Sequence, residues 1–373
     1  MTAATWIVIV LALSHNFPAL ATKIEADALR RSGWWPSSIT SNTSVSHCTW
    51  PGISCDDSES VVEINISQDY YFSCYLSSMN YSLLPNLSSL QLSGKCLSDI
   101  IPLQICALPK LRHLDLSFNY LIGELPLCLQ NLTTLEVIDI HNNRINGRIP
   151  PKLGNLKRLI YLDLSFNRLN GTIPTTLAKL KNLVQLYLRG NFFSGSIPLE
   201  IGNLTNLAYL NMGDNEFSGY IPSEIGNLKR LIYLDLSVNL LDGMIPTTLV
   251  KLKNLAQLYL QHNFFNGPIP SEIGNLTNLT YLNMKMNAFS GSIPSELGNL
   301  KRLIYLDLSY NELWGTIPMT LGHIDDINLS SNHLTGKIPD NLAHKTLTSN
   351  IALELVDMVV SIERNCLMGK SWH

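Results

Sequence analysis

The sequence predicts an α/β solenoid, a stack of short coils that each contribute one parallel strand, and three observations predict it. Asparagine recurs every 24 residues, at Asn119, Asn143, Asn167, Asn191, Asn215, Asn239, Asn263, Asn287 and Asn311, with a tenth copy, Asn332, three residues early. A constant period of roughly 20 to 29 residues filled with leucine marks a repeat stack. Within each unit Leu162 and Leu164 alternate with Tyr161, Asp163 and Ser165, the period of a half-buried strand. One such coil cannot bury its apolar side alone, whereas stacked coils cover one another's leucines.

The elements follow in chain order. Residues 1–21 carry an apolar run, Trp6 to Leu13, and a small-x-small site at Ala19-Leu20-Ala21, and read as a secretory signal peptide. The run is too short to span a membrane. Residues 22–86 form an N-terminal cap and first strand, with an amphipathic helix from Glu25 to Trp35 and the segment Cys48-Thr49-Trp50-Pro51-Gly52-Ile53-Ser54-Cys55. Residues 87–339 hold the repeats, and 340–373 an irregular tail in which Ile351 to Val360 is apolar but carries Glu354 and Asp357. One unit reads Leu159, Leu162, Leu164, Asn167, Leu169, Gly171, Ile173, Pro174. The asparagine stands where the chain leaves the strand, and its amide can satisfy backbone groups left open there. Gly171 permits the tight turn that follows, and Pro174 belongs at an edge.

The pattern L-x-x-L-x-L-x-x-N-x-L/F-x-G-x-I-P resembles the plant-specific leucine-rich repeat, and Cys48 to Cys55 resembles that family's N-terminal cap. Together they resemble the ectodomain of a plant leucine-rich-repeat receptor-like kinase. The resemblance implies a right-handed solenoid of about 10–11 coils with a disulfide-bonded cap, Cys48 to Cys55. It also implies a concave face that binds a peptide or protein, and a possible co-receptor that itself has leucine-rich repeats. Members of that family continue into a membrane helix and a serine/threonine kinase. Here the G-x-G-x-x-G, H-R-D and D-F-G elements are absent, so no kinase activity is expected, and no cofactor or metal.

A net charge of −3 provides no general attraction to nucleic acid or anionic membrane. Sequons at Asn42, Asn65, Asn80, Asn86, Asn131, Asn203, Asn275, Asn278 and Asn328 fit N-glycosylation and a secreted or cell-surface location. Another, Asn170, lies inside the Leu-x-Gly turn. No motif pairs Cys74, Cys96, Cys106, Cys128 or Cys366, and none has metal-ligand spacing.

A second period runs at 72 residues: Asn155 to Ser165 returns from Asn227 to Ser237 and from Asn299 to Ser309. A three-coil block has been duplicated, so a recurring residue need not recur for binding. On the expected concave face the strand columns present Tyr161, Tyr187, Tyr209, Tyr233, Tyr259, Tyr281 and Tyr305, with Arg189 and Lys285 beside them. Tyrosine is favoured both at binding hot spots and as a strand former. The receptors that read a peptide's free carboxylate with an R-x-R pair have no counterpart here. Asp115, Asp139 and Asp163 suggest a calcium or acid/base site less well than ordinary repeat sequence. Three functions remain open at this stage. They are a ligand-binding ectodomain of a receptor kinase or kinase-less receptor in signalling or defence, a secreted polygalacturonase-inhibitor-like protein, and a receptor gene fragment without function.

Overall fold

The computed structural model describes residues 22–66 and 75–342. The expected signal peptide, Cys74, Cys366 and the segment from Ile351 to Val360 lie outside the described residues. Two compact units divide between Ile145 and Asn146.

In the first unit a helix over 22–32 packs on the cap. Its Glu25 is buried and accepts hydrogen bonds from Ser60 Oγ at 2.6 Å and Val61 N at 2.8 Å. Burial pushes the Glu25 carboxyl up, so this contact ties helix to hairpin at an electrostatic cost. The strands Ile53–Cys55 and Val61–Asn65 pair antiparallel, and Val61–Asn65 then pairs parallel with Ser89–Gln91. The cap hairpin therefore closes the exposed edge of the first coil. Cys48 and Cys55 are bridged, with Cα atoms 5.6 Å apart. Trp34, Trp35 and Trp50 pack in sequence, tilted to one another, at 6.2 and 5.8 Å between ring centroids.

A second bridge, Cys106 to Cys128, joins the 3-10 turns Leu103–Ala107 and Leu127–Asn131, and Cys96 is disulfide-bonded as well. The sequence concealed the Cys106–Cys128 pair because its separation of 22 matches neither a metal motif nor the coil period. Stacking places the two turns side by side. Replacing both cysteines by serine should cost about 3 kcal/mol through the freed loop. Chemical unfolding of the double variant checks this, and mass spectrometry of the unreduced digest checks the linkage.

In the second unit the strands from Tyr161–Asp163 to Asp326–Asn328 pair parallel and in register, Tyr209 opposite Tyr233 and Leu210 opposite Leu234. Leu162, Leu186, Leu210, Leu234, Leu258, Leu282 and Leu306 point inward with no exposed surface. Behind them run stacked phenylalanines, Phe193 on Phe217 at 6.2 Å and Phe265 on Phe289 at 6.1 Å.

Three features go beyond the sequence reading. The Leu-x-Gly stretch is not merely a turn but a second parallel sheet of nine strands, from Asn146–Gly147 to His333–Thr335. Its strands are short and rich in glycine, which hides the alternation by which strands are recognised. The segments after Ile-Pro are five-residue 3-10 turns, such as Ser223–Asn227, too short to sustain an α-helix. The early Asn332 does not break the ladder. Its Oδ1 accepts from Leu313 N at 3.0 Å and its Nδ2 donates to Leu308 O at 2.9 Å. The missing residues shorten only the connection ahead of Asp326–Asn328, whose strand stays in register with Tyr305–Asp307.

Candidate ligand-binding face

Each coil turns off its strand through a residue with positive φ just before the ladder asparagine. In the second unit these include Phe166, Asp214, Val238, His262, Met286 and Tyr310, at φ between 52° and 57°. A β-branched residue such as Val238 is strained there. The ladder amide offsets that strain by bonding the neighbouring backbone on both sides. This conformation fixes where each strand ends and so which side chains stand on the open face.

The open face of the second unit carries an aromatic strip. Ring centroids are separated by 6.4 Å from Tyr209 to Tyr233, 5.4 Å from Tyr233 to Tyr259, 4.7 Å from Tyr259 to Tyr281 and 4.1 Å from Tyr281 to Tyr305. Tyr161 and Tyr187 form a further pair at 5.8 Å. The rings zigzag between the first and third strand positions, since the first positions of two coils are Gln185 and Gln257. Five rings over four coil steps span about 19 Å.

The phenols are anchored along their own strands. Tyr187 and Tyr259 donate to Gln185 and Gln257 at 2.9 and 3.1 Å. Tyr161, Tyr233 and Tyr305 donate to Asp163, Asp235 and Asp307 at 3.2, 3.3 and 3.3 Å. Burial raises Tyr187, Tyr233, Tyr281 and Tyr305, and pushes Tyr259 up to about 12. These five phenols are therefore neutral at physiological pH.

The aspartates serve the scaffold. Oδ1 of Asp235 accepts from Ser237 N at 2.9 Å and Ser237 Oγ at 2.6 Å, and Asp307 repeats this with Ser309. Asp115 does the same with Ser117 in the first unit, and Asp139 accepts from His141 N at 3.2 Å. Each Leu-Asp-Leu-Ser strand thus holds its carboxylate in a local side-chain turn.

Arg189 reaches across one coil to Asp235, 3.5 Å away. The intervening residue is Gly213, where a Cβ would lie 3.0 Å from Asp235 Oδ1. Burial raises the Asp235 carboxyl, and Ser237 and Arg189 oppose the shift. Arg189 Nε and Gln261 Oε1 are buried on this face without a hydrogen-bond partner, two polar atoms that a bound chain can satisfy. Lys285 lies 5.4 Å from the Tyr310 ring centroid and so leans toward the ladder side. The pairing of Arg189 with Asp235 could not be read from sequence, because it skips a coil.

The sequons divide by environment. Asn42, Asn80, Asn131, Asn170, Asn203 and Asn275 are exposed, while Asn65, Asn86, Asn278 and Asn328 are partly covered. Asn86 donates to Ser60 Oγ at 2.8 Å and Asn278 to Lys253 O at 2.8 Å. Asn328 lies on the last inner strand.

This geometry agrees with the comparisons. A leucine-rich-repeat region model matches residues 194–321, a leucine-rich-repeat model 133–193, and a further one 110–132 and 323–344. The chain belongs to the leucine-rich-repeat family, in its plant receptor-like form. The Arabidopsis receptor kinase HAESA ectodomain, solved with an extended IDA peptide hormone, is 33% identical with a TM-score of 0.74, over 84% of this chain and 54% of that one. The plant peptide hormone receptor RGFR1, solved with RGF2, is 34% identical with a TM-score of 0.66, over 70% of this chain and 46% of that one. The chain thus spans about half the length of these solved receptor chains. A plant ice-binding protein is 26% identical with a TM-score of 0.65, over 86% of this chain and 98% of that one. No curated protein matches the sequence. No helix among the described residues is long and apolar enough to cross a membrane.

Proposed function

We propose that this chain is the extracellular ligand-binding part of a plant cell-surface receptor and holds an extended peptide or protein segment across the open strand face. The observation that carries this reading is the strip from Tyr209 to Tyr305. Packed ring to ring and half-buried, its side chains offer rigid contact area whose ordering cost has already been met by folding. The peptide complexes of HAESA and RGFR1 support the same class of ligand. With Arg189 neutralised by Asp235 and no second arginine on its strand, the face suits an uncharged or aromatic segment rather than a free C-terminal carboxylate. In this reading the protein passes through the secretory pathway, acts outside the cell in signalling or defence, and can engage a second leucine-rich-repeat chain as co-receptor.

The test is binding of the purified protein to an array of synthetic plant extracellular peptides. The wild type should select a subset, and the triple variant Tyr209→Ala, Tyr233→Ala, Tyr281→Ala should lose at least tenfold in affinity for it. Undiminished binding by a folded triple variant would overturn the assignment of this face.

A further inference from the structure

A separate surface of the second unit is strongly basic, and it lies at the edge where the chain enters the inner strands. Lys157 and Arg158 precede the strand Tyr161–Asp163, and Lys179 and Lys181 precede Gln185–Tyr187. The next 72-residue block repeats all four, and the third block repeats Lys157-Arg158 as Lys301-Arg302. All of these cations are exposed. The corresponding positions of the intervening coils hold Asn203, Thr205 and Asn206 and then Asn275, Thr277 and Asn278, so no acid interrupts the series. Among the described residues none of these cations lies within 4.0 Å of a carboxylate.

Several of the ammonium groups are held in place. Lys157 Nζ donates to Gly154 O at 3.0 Å, Lys181 Nζ to Asn203 O at 2.8 Å and Lys253 Nζ to Asn275 O at 3.0 Å. Main-chain carbonyls thus fix part of the row and leave further N–H donors on those ammonium groups. Within a block the cations oppose one another: burial and then Lys179 and Lys181 lower the Lys157 ammonium, and Lys251 and Lys253 act likewise on Lys229. Although the net charge of the chain is −3, the described residues thus include a positive edge without ion-paired carboxylates, a local field the average conceals.

We infer that this edge binds an extended anionic polysaccharide, a linear polyuronate, along the row of lysine and arginine heads. From the Lys157 coil to the Lys301 coil the edge spans about 29 Å, with charge clusters recurring about every 14 Å. Such spacing rewards a long ligand that engages several clusters at once over a small anion. The side chains beside the lysines suit hydroxyls: Asn182 and Asn254 are exposed, and their Nδ2 groups are committed to Lys157 O and Lys229 O at 2.9 and 2.8 Å, which leaves the amide oxygens as acceptors. No aromatic side chain is interleaved in the series, where Ile160, Ile232 and Ile304 follow the arginine positions instead. A nucleic-acid strand would lack the stacking platform it requires. The inference does not rest on the peptide reading, which concerns the face between the strand ends.

The test titrates the full chain, before and after enzymatic removal of glycans, with unesterified oligogalacturonate at 50 and 200 mM salt. Binding is expected to weaken at least tenfold between the two salts. The variant Arg158→Gln, Lys179→Gln, Arg230→Gln, Lys251→Gln spares the carbonyl-bound lysines and should weaken binding at least tenfold. A control removing four cations elsewhere, Arg148→Gln, Lys152→Gln, Arg168→Gln, Lys337→Gln, should not. Lys179→Arg with Lys251→Arg should retain binding. Absence of binding at 50 mM salt in both glycan states would overturn the inference. So would equal affinity for the fully methyl-esterified oligomer, an equal loss in the control, or tighter binding of single-stranded DNA or dextran sulfate of matched charge.

Discussion

Asn239→Ala is expected to destabilise the second unit by about 2–3 kcal/mol, which lowers its melting temperature by roughly 5–10 °C. Asn239 Oδ1 accepts from Phe217 N at 3.0 Å, and Nδ2 donates to Met212 O, Leu236 O and Ser237 O at 3.0, 3.2 and 3.1 Å. These bonds are not equally exclusive. Met212 O also accepts from Asn215, Leu236 O from Asn263 and Ser237 O from the Asp214 amide. The Phe217 amide is the group that alanine strands, buried beside the phenylalanine spine. One orphaned buried amide accounts for most of the cost, and weaker bonding at three carbonyls for the rest. Asn239→Asp keeps an acceptor for Phe217 but aims a carboxylate at three carbonyls. At neutral pH it should therefore be at least as damaging, and it should recover as acid protonates the carboxyl. Thermal unfolding of both variants at pH 4 and pH 7 checks this. A melting temperature for Asn239→Ala within a degree of wild type would refute the role given to the ladder.

Gly226→Val should cost about 3 kcal/mol for a different reason. Gly226 lies in the 3-10 turn Ser223–Asn227, packed against the next coil, and a Cβ there would lie 2.4 Å from Thr248 O. The obstacle is backbone, so relief requires the two coils to separate and loosen the core beneath. Gly154, Gly202 and Gly274 meet the next coil equally closely, at 2.1, 2.3 and 2.2 Å. Two coils show how the stack responds to a side chain. Ala178 and Val250 occupy the same position, and their turns pack less closely on the coil that follows. Gly226→Ala should accordingly cost only about 1 kcal/mol. Denaturant unfolding of the pair decides the matter, since a Gly226→Val variant as stable as the wild type would remove the steric explanation.

The two predictions differ in how far sequence could reach them. The ladder was legible, because a polar residue held at one interval of 24 among leucines has few structural roles. The glycine of Glu224-Ile225-Gly226-Asn227 was not. Its backbone needs no left-handed angle, and only the neighbouring coil, 22 residues on at Thr248, excludes a side chain. The Arg189–Asp235 pair and the Cys106–Cys128 bridge were hidden for the same reason, since each depends on which coils lie side by side. The tyrosines were legible as columns, but their arrangement as one zigzag strip was not, because alternate rings come from different strand positions.

By itself, then, the sequence determined the repeat, its period, the inward leucines, the polar ladder and the cap cysteines, all of which are local patterns that any stacking of the coils must respect. The tertiary structure decided the second sheet, the closeness of the turns, the bridge at Cys106, the charge pairing over Gly213 and the continuity of the aromatic strip. Those depend on distances between residues of different coils, which are set by packing and by the residue left of the ladder at positive φ, and no periodicity along the chain encodes a distance across it.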